Sequence, residues 1–156
     1  MKMVLTGLGR LEIQADDRDL KVSDDSLVLT DVLCCAVCRT DAKMWEQGHR
    51  DLVFPRVPGH EMVVQDEAGA RFMVWPGKSC GICAFCRTSR GNLCEDMKIT
   101  GFHTDGGFAK KALLPKDSLI SPYRTPFPSA LPALQSLWAA SSMPLKNFRQ
   151  NKTTGS

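Results

Sequence analysis

Four of the seven cysteines in this 156-residue sequence fall between positions 80 and 94, in the pattern C-x2-C-x2-C-x7-C. Gaps of two residues let successive thiolates approach one ion, and Gly81 and Gly91 permit tight turns. Four sulfur ligands complete a tetrahedral zinc shell that has no open position, so a zinc ion held this way is structural. The spacing therefore predicts a structural zinc lobe over residues 78–97, whose ligands are Cys80, Cys83, Cys86 and Cys94.

Disulfides and an iron–sulfur cluster are the competing interpretations of these cysteines. The cysteine count is odd, and the N-terminal segment does not have the form of a secretory signal, which predicts a cytoplasmic protein whose thiols stay reduced. The bacterial iron–sulfur run ends in a gap of three residues followed by proline, whereas the last gap here is seven residues. The pattern therefore favours zinc over both alternatives.

A second group of residues offers the ligand types of a catalytic zinc ion. Cys38 lies in the stretch CRTD, and His60 and Glu61 lie in the stretch PGHE. A thiolate, an imidazole and a carboxylate can hold zinc and leave a position open for water or substrate. Each residue also has a purely structural interpretation, as a core cysteine, a loop histidine and a capping acid. The residue types and their spacing alone do not decide whether this second group binds zinc.

Composition excludes several classes of function. The chain is 43% hydrophobic and 24% charged, as is typical of globular domains. Its 20 basic and 17 acidic residues are interleaved and give a net charge of +3, which is too small to indicate nucleic-acid binding. No apolar run approaches the roughly 18 residues that would cross a bilayer. We expect neither a nucleic acid nor a membrane as partner.

Short apolar segments separated by glycine and proline predict a mainly β fold, a partly open barrel with one or two short helices. Ser26–Cys38 is dense in apolar residues and predicts a strand buried on both faces, with Cys34 and Cys35 as small core side chains. Thr40 or Asp41 is expected to cap the helix that follows, and Gly48 to end it. Hairpins are predicted at residues 2–14 and 61–75.

The predicted domain organisation follows the composition. The barrel and its zinc lobe occupy residues 1–122, a proline-rich linker residues 123–128, a C-terminal helix residues 129–145 and a flexible tail residues 146–156.

Four stretches, CRTD, PGHE, CGICAFCRTSRGNLC and TDGGFAKKALLP, follow one another in an order that resembles the zinc-dependent medium-chain alcohol and polyol dehydrogenases. The resemblance covers Leu27 to Ile120 and is to the N-terminal catalytic domain of that oxidoreductase family, a GroES-like barrel. It implies that Cys38 and His60 are ligands of a catalytic zinc ion, and that Glu61 can enter the ligand shell. The four lobe cysteines correspond to the family's structural zinc site.

The same resemblance implies roles for three neighbouring residues. Thr40 matches the hydroxyl that relays the substrate proton, and Asp41 matches the carboxylate that orients a ligand histidine. Arg39 matches a basic residue that meets the cofactor pyrophosphate in some members. In that family, zinc polarises the oxygen of a small alcohol or polyol, and a nicotinamide cofactor accepts the hydride.

The stretch after Ile120 does not match the family's nucleotide-binding domain. It contains 36 residues and no G-x-G-x-x-G sequence opening a helix. We therefore expect a truncated member that binds NAD(P) only if another chain supplies that domain, so that its own enzymatic activity is left open. We further expect an exposed apolar face, covered by the C-terminal helix or by a second copy in a homo-oligomer. The alternative is a non-enzymatic zinc-stabilised binding module.

Overall fold

A computed structural model describes residues 1–120 of the chain, so the predicted linker, C-terminal helix and tail at 123–156 lie outside the described residues. The strands within this range are β1 (Lys2–Gly7), β2 (Arg10–Gln14), β3 (Leu27–Ala36), β4 (Glu61–Gln65), β5 (Arg71–Val74), β6 (Gly77–Lys78), β7 (Lys98–Ile99), β8 (Lys111–Pro115) and β9 (Leu119–Ile120). The helices are α1 (Arg39–Gln47) and α2 (Ala84–Arg87), with short 3-10 turns at Gly91–Leu93 and Lys116–Ser118.

A five-stranded antiparallel sheet in the order β8–β3–β4–β5–β9 forms most of the barrel wall. The β1–β2 hairpin is a separate two-stranded sheet, joined to the rest of the barrel by isolated bridges from Lys2 to Ala109 and from Leu5 to Arg56. Leu5 and Arg56 exchange backbone hydrogen bonds of 2.7 and 3.0 Å, and the Met3 N–H donates to the Phe108 carbonyl at 2.7 Å. These bonds close part of the gap, so the mainly β, partly open barrel predicted from the sequence is confirmed. Both predicted hairpins are present.

Two apolar clusters form the described core. The first lies against the sheet and comprises Met62, Val64, Val74, Ala112 and Leu114. The second comprises Leu5, Met44, Leu52 and Phe102, and it joins the hairpin and α1 to the loop before β8. Burial of these side chains is the main favourable contribution to folding. Among residues 1–120, neither helix has the length and apolar character needed to cross a membrane.

The prediction that the strand at 26–38 is buried on both faces is wrong. A bulge interrupts its pairing with β4 between Val32 and Cys34, and Leu33 at the bulge is 41% exposed. The strand buried on both faces is β4, where the consecutive residues Met62, Val63 and Val64 are all fully buried.

The two strand cysteines are both half-buried. Cys35 packs against the first core cluster, and burial raises the pKa of its thiol to about 12. Burial also raises the pKa of Cys34. Both therefore remain protonated thiols near neutral pH, in keeping with the prediction that they pack as small hydrophobes.

Glycines let two loops approach each other at backbone distance. The Gly107 N–H donates to the Gly59 carbonyl at 2.8 Å, and the Phe108 N–H donates to the Pro58 carbonyl at 3.0 Å. A Cβ atom on Gly106 would lie 2.1 Å from the Gly59 carbonyl oxygen, which is far inside contact distance. Only a residue without a side chain fits there. The contact fixes the backbone next to His60.

A charged network ties the segment after β2 to the same region. The Arg18 guanidinium donates to Asp16 at 2.7 and 2.8 Å and to Asp105 at 3.3 Å. Arg56 donates to Asp105 at 3.2 Å from the other side. The hydrogen bond from Arg18 lowers the pKa of the Asp16 carboxyl below its ordinary value.

We expect Gly106→Ala to lower the free energy of unfolding by at least about 2 kcal/mol, because the added methyl group meets backbone atoms that cannot move independently. Gly7→Ala is the matched control, since its Cβ would meet only an Arg10 methylene at 3.8 Å. That control should change stability by less than about 0.5 kcal/mol. Urea unfolding of the zinc-loaded chain measures both values. Equal effects of the two substitutions would show that the loop contact is not sterically tight.

Candidate metal centres

The four lobe cysteines converge on one point. Their sulfur atoms all lie within 4.8 Å of one another. The Cys80 and Cys86 sulfurs are 3.9 Å apart, and those of Cys83 and Cys86 are 3.4 Å apart. Zinc–sulfur bonds of about 2.3 Å at tetrahedral angles require sulfur separations of about 3.8 Å. The arrangement therefore has the dimensions of a closed four-thiolate zinc site.

The lobe backbone directs the sulfur atoms inward but supplies little core of its own. Pairing of β6 with β7 closes the neck of the lobe, and the single turn of α2 carries Cys86. The Cys80 N–H donates to the Cys94 sulfur at 3.2 Å, and the Cys83 N–H donates to the Cys80 sulfur at 3.4 Å. The apolar side chains of Ile82 and Leu93 are 73% and 51% exposed. A bound ion would therefore supply the cohesion that apolar packing does not.

Backbone N–H groups favour thiolate formation within the lobe. The Cys86 N–H lowers the pKa of Cys83 to about 6, and the N–H groups of Ile82 and Cys83 lower the pKa of Cys80. Burial and the neighbouring Cys83 raise the pKa of Cys86 to about 11. Metal ligands must be deprotonated, so a cluster with one thiolate already available near neutral pH suits metal binding.

The second group brings together Cys38, Asp41 and His60. The Cys38 sulfur lies 3.1 Å from Nε2 of His60, although the two residues are 22 positions apart. Cys38 is the N-cap of α1, and its sulfur accepts the Thr40 N–H at 3.2 Å. The predicted N-cap at Thr40 or Asp41 is therefore wrong in position, because the chain leaves β3 in an extended conformation that continues through Cys38. Asp41 does contribute to the cap, since its side chain accepts the Cys38 N–H from the third helical position and completes a capping box. Gly48 ends the helix as predicted.

Asp41 lies on the far side of the histidine ring and is 7% exposed. Its Oδ2 accepts the Cys38 N–H at 2.9 Å, and its Oδ1 is 3.5 Å from Nδ1 of His60. Burial raises the pKa of Asp41, but the His60 ring and the Cys38 N–H outweigh burial and lower the pKa below its ordinary value. Asp41 therefore contacts both other members of the group. The Phe102 ring covers the imidazole at a centroid distance of 5.6 Å.

This group fits a zinc ion after a small adjustment. Tetrahedral zinc requires a sulfur-to-nitrogen distance of about 3.5 Å, slightly longer than the observed separation of Cys38 and His60. Asp41 Oδ1 and His60 Nδ1 are both buried without a hydrogen-bond partner. The two unpartnered atoms are thus available to each other when Nε2 serves as a metal ligand. The donor set is a soft thiolate and an imidazole, which zinc prefers.

Three predicted site residues lie outside this group. Glu61 begins β4 and is half-buried, but its carboxylate does not join the described cluster, so its role as a ligand stays a prediction. Thr40 is half-buried beside Cys38. Arg39 is exposed and makes no ion pair with residues 1–120. The contact of Phe102 with His60 has no signal in the sequence, since 42 residues and several turns separate the two rings.

Comparisons with known proteins agree with these observations. The sequence profile of the alcohol dehydrogenase GroES-like domain family matches residues 24–124. D-altritol 5-dehydrogenase of Agrobacterium fabrum is 36% identical over 101 residues, which cover 58% of this chain and 30% of the relative. L-galactonate-5-dehydrogenase of Escherichia coli is 26% identical over 119 residues, which cover 70% of this chain and 35% of the relative. The chain therefore spans about a third of the length of these relatives.

Solved structures show the same fold. A protein of Sinorhizobium meliloti 1021, described as a zinc-binding dehydrogenase bound to NADP, is 28% identical with a TM-score of 0.68. The match covers 76% of this chain and 37% of that one. Galactitol-1-phosphate dehydrogenase of Escherichia coli has a TM-score of 0.71 at 18% identity, covering 80% of this chain and 39% of that one, and supports the fold alone.

Replacing one of the four lobe cysteines tests whether they hold a zinc ion together. We expect Cys83→Ser to release one zinc ion per chain, because a serine hydroxyl is a poor zinc ligand. Hydrogen exchange should accelerate across residues 78–97 while the five-stranded sheet stays protected. Cys34→Ser, which alters a strand cysteine outside both groups, should keep the metal and the protection. Retention of the lobe zinc with unchanged protection in Cys83→Ser would refute the ligand assignment.

Proposed function

Since the chain belongs to the alcohol dehydrogenase GroES-like domain family, we propose that it is the zinc-binding catalytic part of a dehydrogenase that acts on a small alcohol or polyol. The observation that carries this proposal is the contact between the Cys38 sulfur and His60 Nε2, with Asp41 directly behind the ring. Two ligand atoms of the types that catalytic zinc uses meet where α1 and β4 begin, and a buried carboxylate is placed to orient one of them.

Cys38 and His60 are the residues that would hold the catalytic ion, and the lobe cysteines would hold a second, structural ion. Bound between Cys38 and His60, zinc supplies Lewis-acid polarisation of the substrate oxygen. With the ion held there, Asp41 would fix the His60 ring by accepting from Nδ1, whose distance to Oδ1 is 3.5 Å, so that Nε2 would carry the lone pair that faces Cys38. Phe102 packs against the same ring at a centroid distance of 5.6 Å.

Thr40 and Arg39 take roles at the rim of this site. Oxidation of an alcohol removes a hydride from carbon and a proton from oxygen. We assign the proton to the Thr40 hydroxyl, which can accept it while passing its own proton to water. The hydride passes to an oxidised nicotinamide. Arg39 is an exposed guanidinium that makes no ion pair with residues 1–120, so it is available to a cofactor phosphate.

Cofactor binding requires more than residues 1–120 provide. Their principal sheet is wholly antiparallel, whereas a dinucleotide site is built from parallel strands and a glycine-rich turn that opens a helix. We propose that NAD(P) is bound together with a nucleotide-binding domain outside this range or on another chain.

A second candidate function is a non-enzymatic zinc-stabilised binding module. The observation that favours it is the exposure of apolar side chains around both centres, with Val37 74% exposed and Ile82 73% exposed. Such side chains would suit a protein partner as well as a further domain. The two candidates differ in whether the Cys38 centre takes up metal and supports hydride transfer.

Metal analysis separates these candidates. We expect two zinc ions per purified chain, and one in His60→Ala, because only the second centre loses a ligand. When a nucleotide-binding domain is supplied on another chain, an assay of NAD and NADP reduction with a panel of alcohols and polyols should show turnover that Cys38→Ala abolishes. One zinc ion in the unaltered chain, with no reduction of either cofactor under those conditions, would support the binding module instead.

Asp41→Asn tests the role of the buried carboxylate. We expect zinc affinity at the second centre to fall about 10- to 100-fold, because the amide is a weaker acceptor for the His60 N–H than the carboxylate. Glu46→Gln removes an exposed charge from the same helix and is the matched control. Competition with a chromophoric chelator measures both affinities. An affinity loss of equal size in the two variants would indicate a general effect of charge rather than orientation of His60.

A further inference from the structure

A cleft of about 480 Å³ lies outside both groups of metal-ligand residues. Four cationic side chains line it, from four separate segments of the chain, and His103 lies beside them. The cationic residues are Arg18, Arg56, Lys78 and Lys98. The barrel fold brings them together from positions up to 80 residues apart. This convergence is the feature that calls for an explanation.

The carboxylates near the cleft do not neutralise all of these charges. Asp105 is the only acidic residue that lines it, and its oxygens already accept from Arg18, from Arg56 and from the Val57 N–H. Outside the lining, Asp16 pairs with Arg18 and Asp96 pairs with Lys98 at 2.6 Å.

Lys78 remains without an ion pair among residues 1–120. The Asp96–Lys98 pair is exposed on both sides, so it contributes little and can open to admit a ligand. The cleft therefore offers two lysine ammonium groups to an anion.

Hydrogen-bond donors outnumber acceptors in the same cleft. Nε of Arg56 is buried and has no hydrogen-bond partner. Nδ1 of His103 accepts the Ile99 N–H at 2.9 Å, so a neutral ring carries its proton on Nε2 and donates there. The hydroxyl groups of Thr100 and Thr104 also line the cleft. Such a surface suits a ligand that is rich in acceptor oxygens.

Part of the cleft lining is apolar. It consists of the side chains of Leu20, Leu27, Leu113 and Pro115. These residues belong to the segment after β2, to the start of β3 and to β8, and they are half-buried rather than part of either core cluster. A ligand that carries a short carbon skeleton next to its charged group would cover them.

We propose that this cleft binds a small organic phosphate, with the phosphate between Lys78, Lys98 and Arg56 and the carbon skeleton against the apolar part of the lining. A phosphate is favoured over a carboxylate because the four cations that line the cleft come from separate segments, and the three terminal oxygens of a phosphate can accept from more than one of them. A carboxylate pairs best with a single arginine fork, whereas two of the cations here are lysines and both arginines already share Asp105. This site is independent of the Cys38 centre and goes beyond the proposed dehydrogenase function.

Calorimetric titration of the zinc-loaded chain with butyl phosphate tests the proposal, with inorganic phosphate, butanoate and butanol as comparison ligands. We expect butyl phosphate to bind more tightly than inorganic phosphate and butanoate, and butanol not to bind. The double variant Lys78→Gln/Lys98→Gln should weaken butyl phosphate binding at least about 10-fold, close to 1.4 kcal/mol. The control Lys43→Gln/Lys110→Gln removes two exposed lysines elsewhere and should stay within about two-fold.

Three results would overturn the proposal. They are no heat of binding with butyl phosphate at about 10 mM, equal weakening in the two double variants, and binding of butanoate as tight as that of butyl phosphate. Zinc content is measured for every variant and is expected to be unchanged. Loss of phosphate binding with intact zinc content therefore leaves the proposed dehydrogenase function untouched, and loss of zinc at the Cys38 centre leaves the phosphate site untouched.

Discussion

The backbone contact between Gly59 and the glycines at 106 and 107 is the constraint on which the second centre depends. His60 follows Gly59 directly, so the hydrogen bond from the Gly107 N–H determines where the imidazole can lie. The same approach brings Phe102 against the ring. Strands β3 and β4 then deliver Cys38 and His60 to the same end of the sheet, because Ala36 pairs with Glu61 in their antiparallel register. Ligand geometry is thus a consequence of loop packing.

The barrel and the zinc lobe of the described chain are stabilised by different interactions. The barrel buries two apolar clusters and would be expected to fold on that basis. The lobe between β6 and β7 exposes the apolar side chains of Ile82 and Leu93 and directs four sulfur atoms inward. A bound ion would therefore order the lobe through metal–ligand bonds rather than through exclusion of water. Solution conditions that remove metal act on the lobe, whereas denaturants act on both parts.

Local patterns predicted the parts of this molecule that depend on neighbouring residues. The spacing of the four lobe cysteines, the two hairpins and the end of α1 at Gly48 all follow from short-range rules. Features that depend on residues far away in the sequence could not be predicted from local patterns. The bulge at Leu33 reflects the register with β4, and the capping role of Cys38 reflects the direction in which β3 ends. Only the order of the motifs CRTD and PGHE, through the family resemblance, predicted that Cys38 and His60 share a site. The periodicity of apolar residues carries no information about this contact.

The Arg18 network gives the N-terminal hairpin a second attachment to the barrel. Residues 21–26 are exposed and form no strand or helix, yet Met3, Leu5 and Arg18 on their N-terminal side bond to Phe108, Arg56 and Asp105. A protease that nicks this connection would leave a fragment still docked through backbone bonds and burial of Leu5. The part of the barrel before residue 21 is therefore expected to stay associated with the rest even when the connection at 21–26 is cut. Residues 21–26 are accordingly a suitable site for circular permutation or for splitting the chain into complementing fragments.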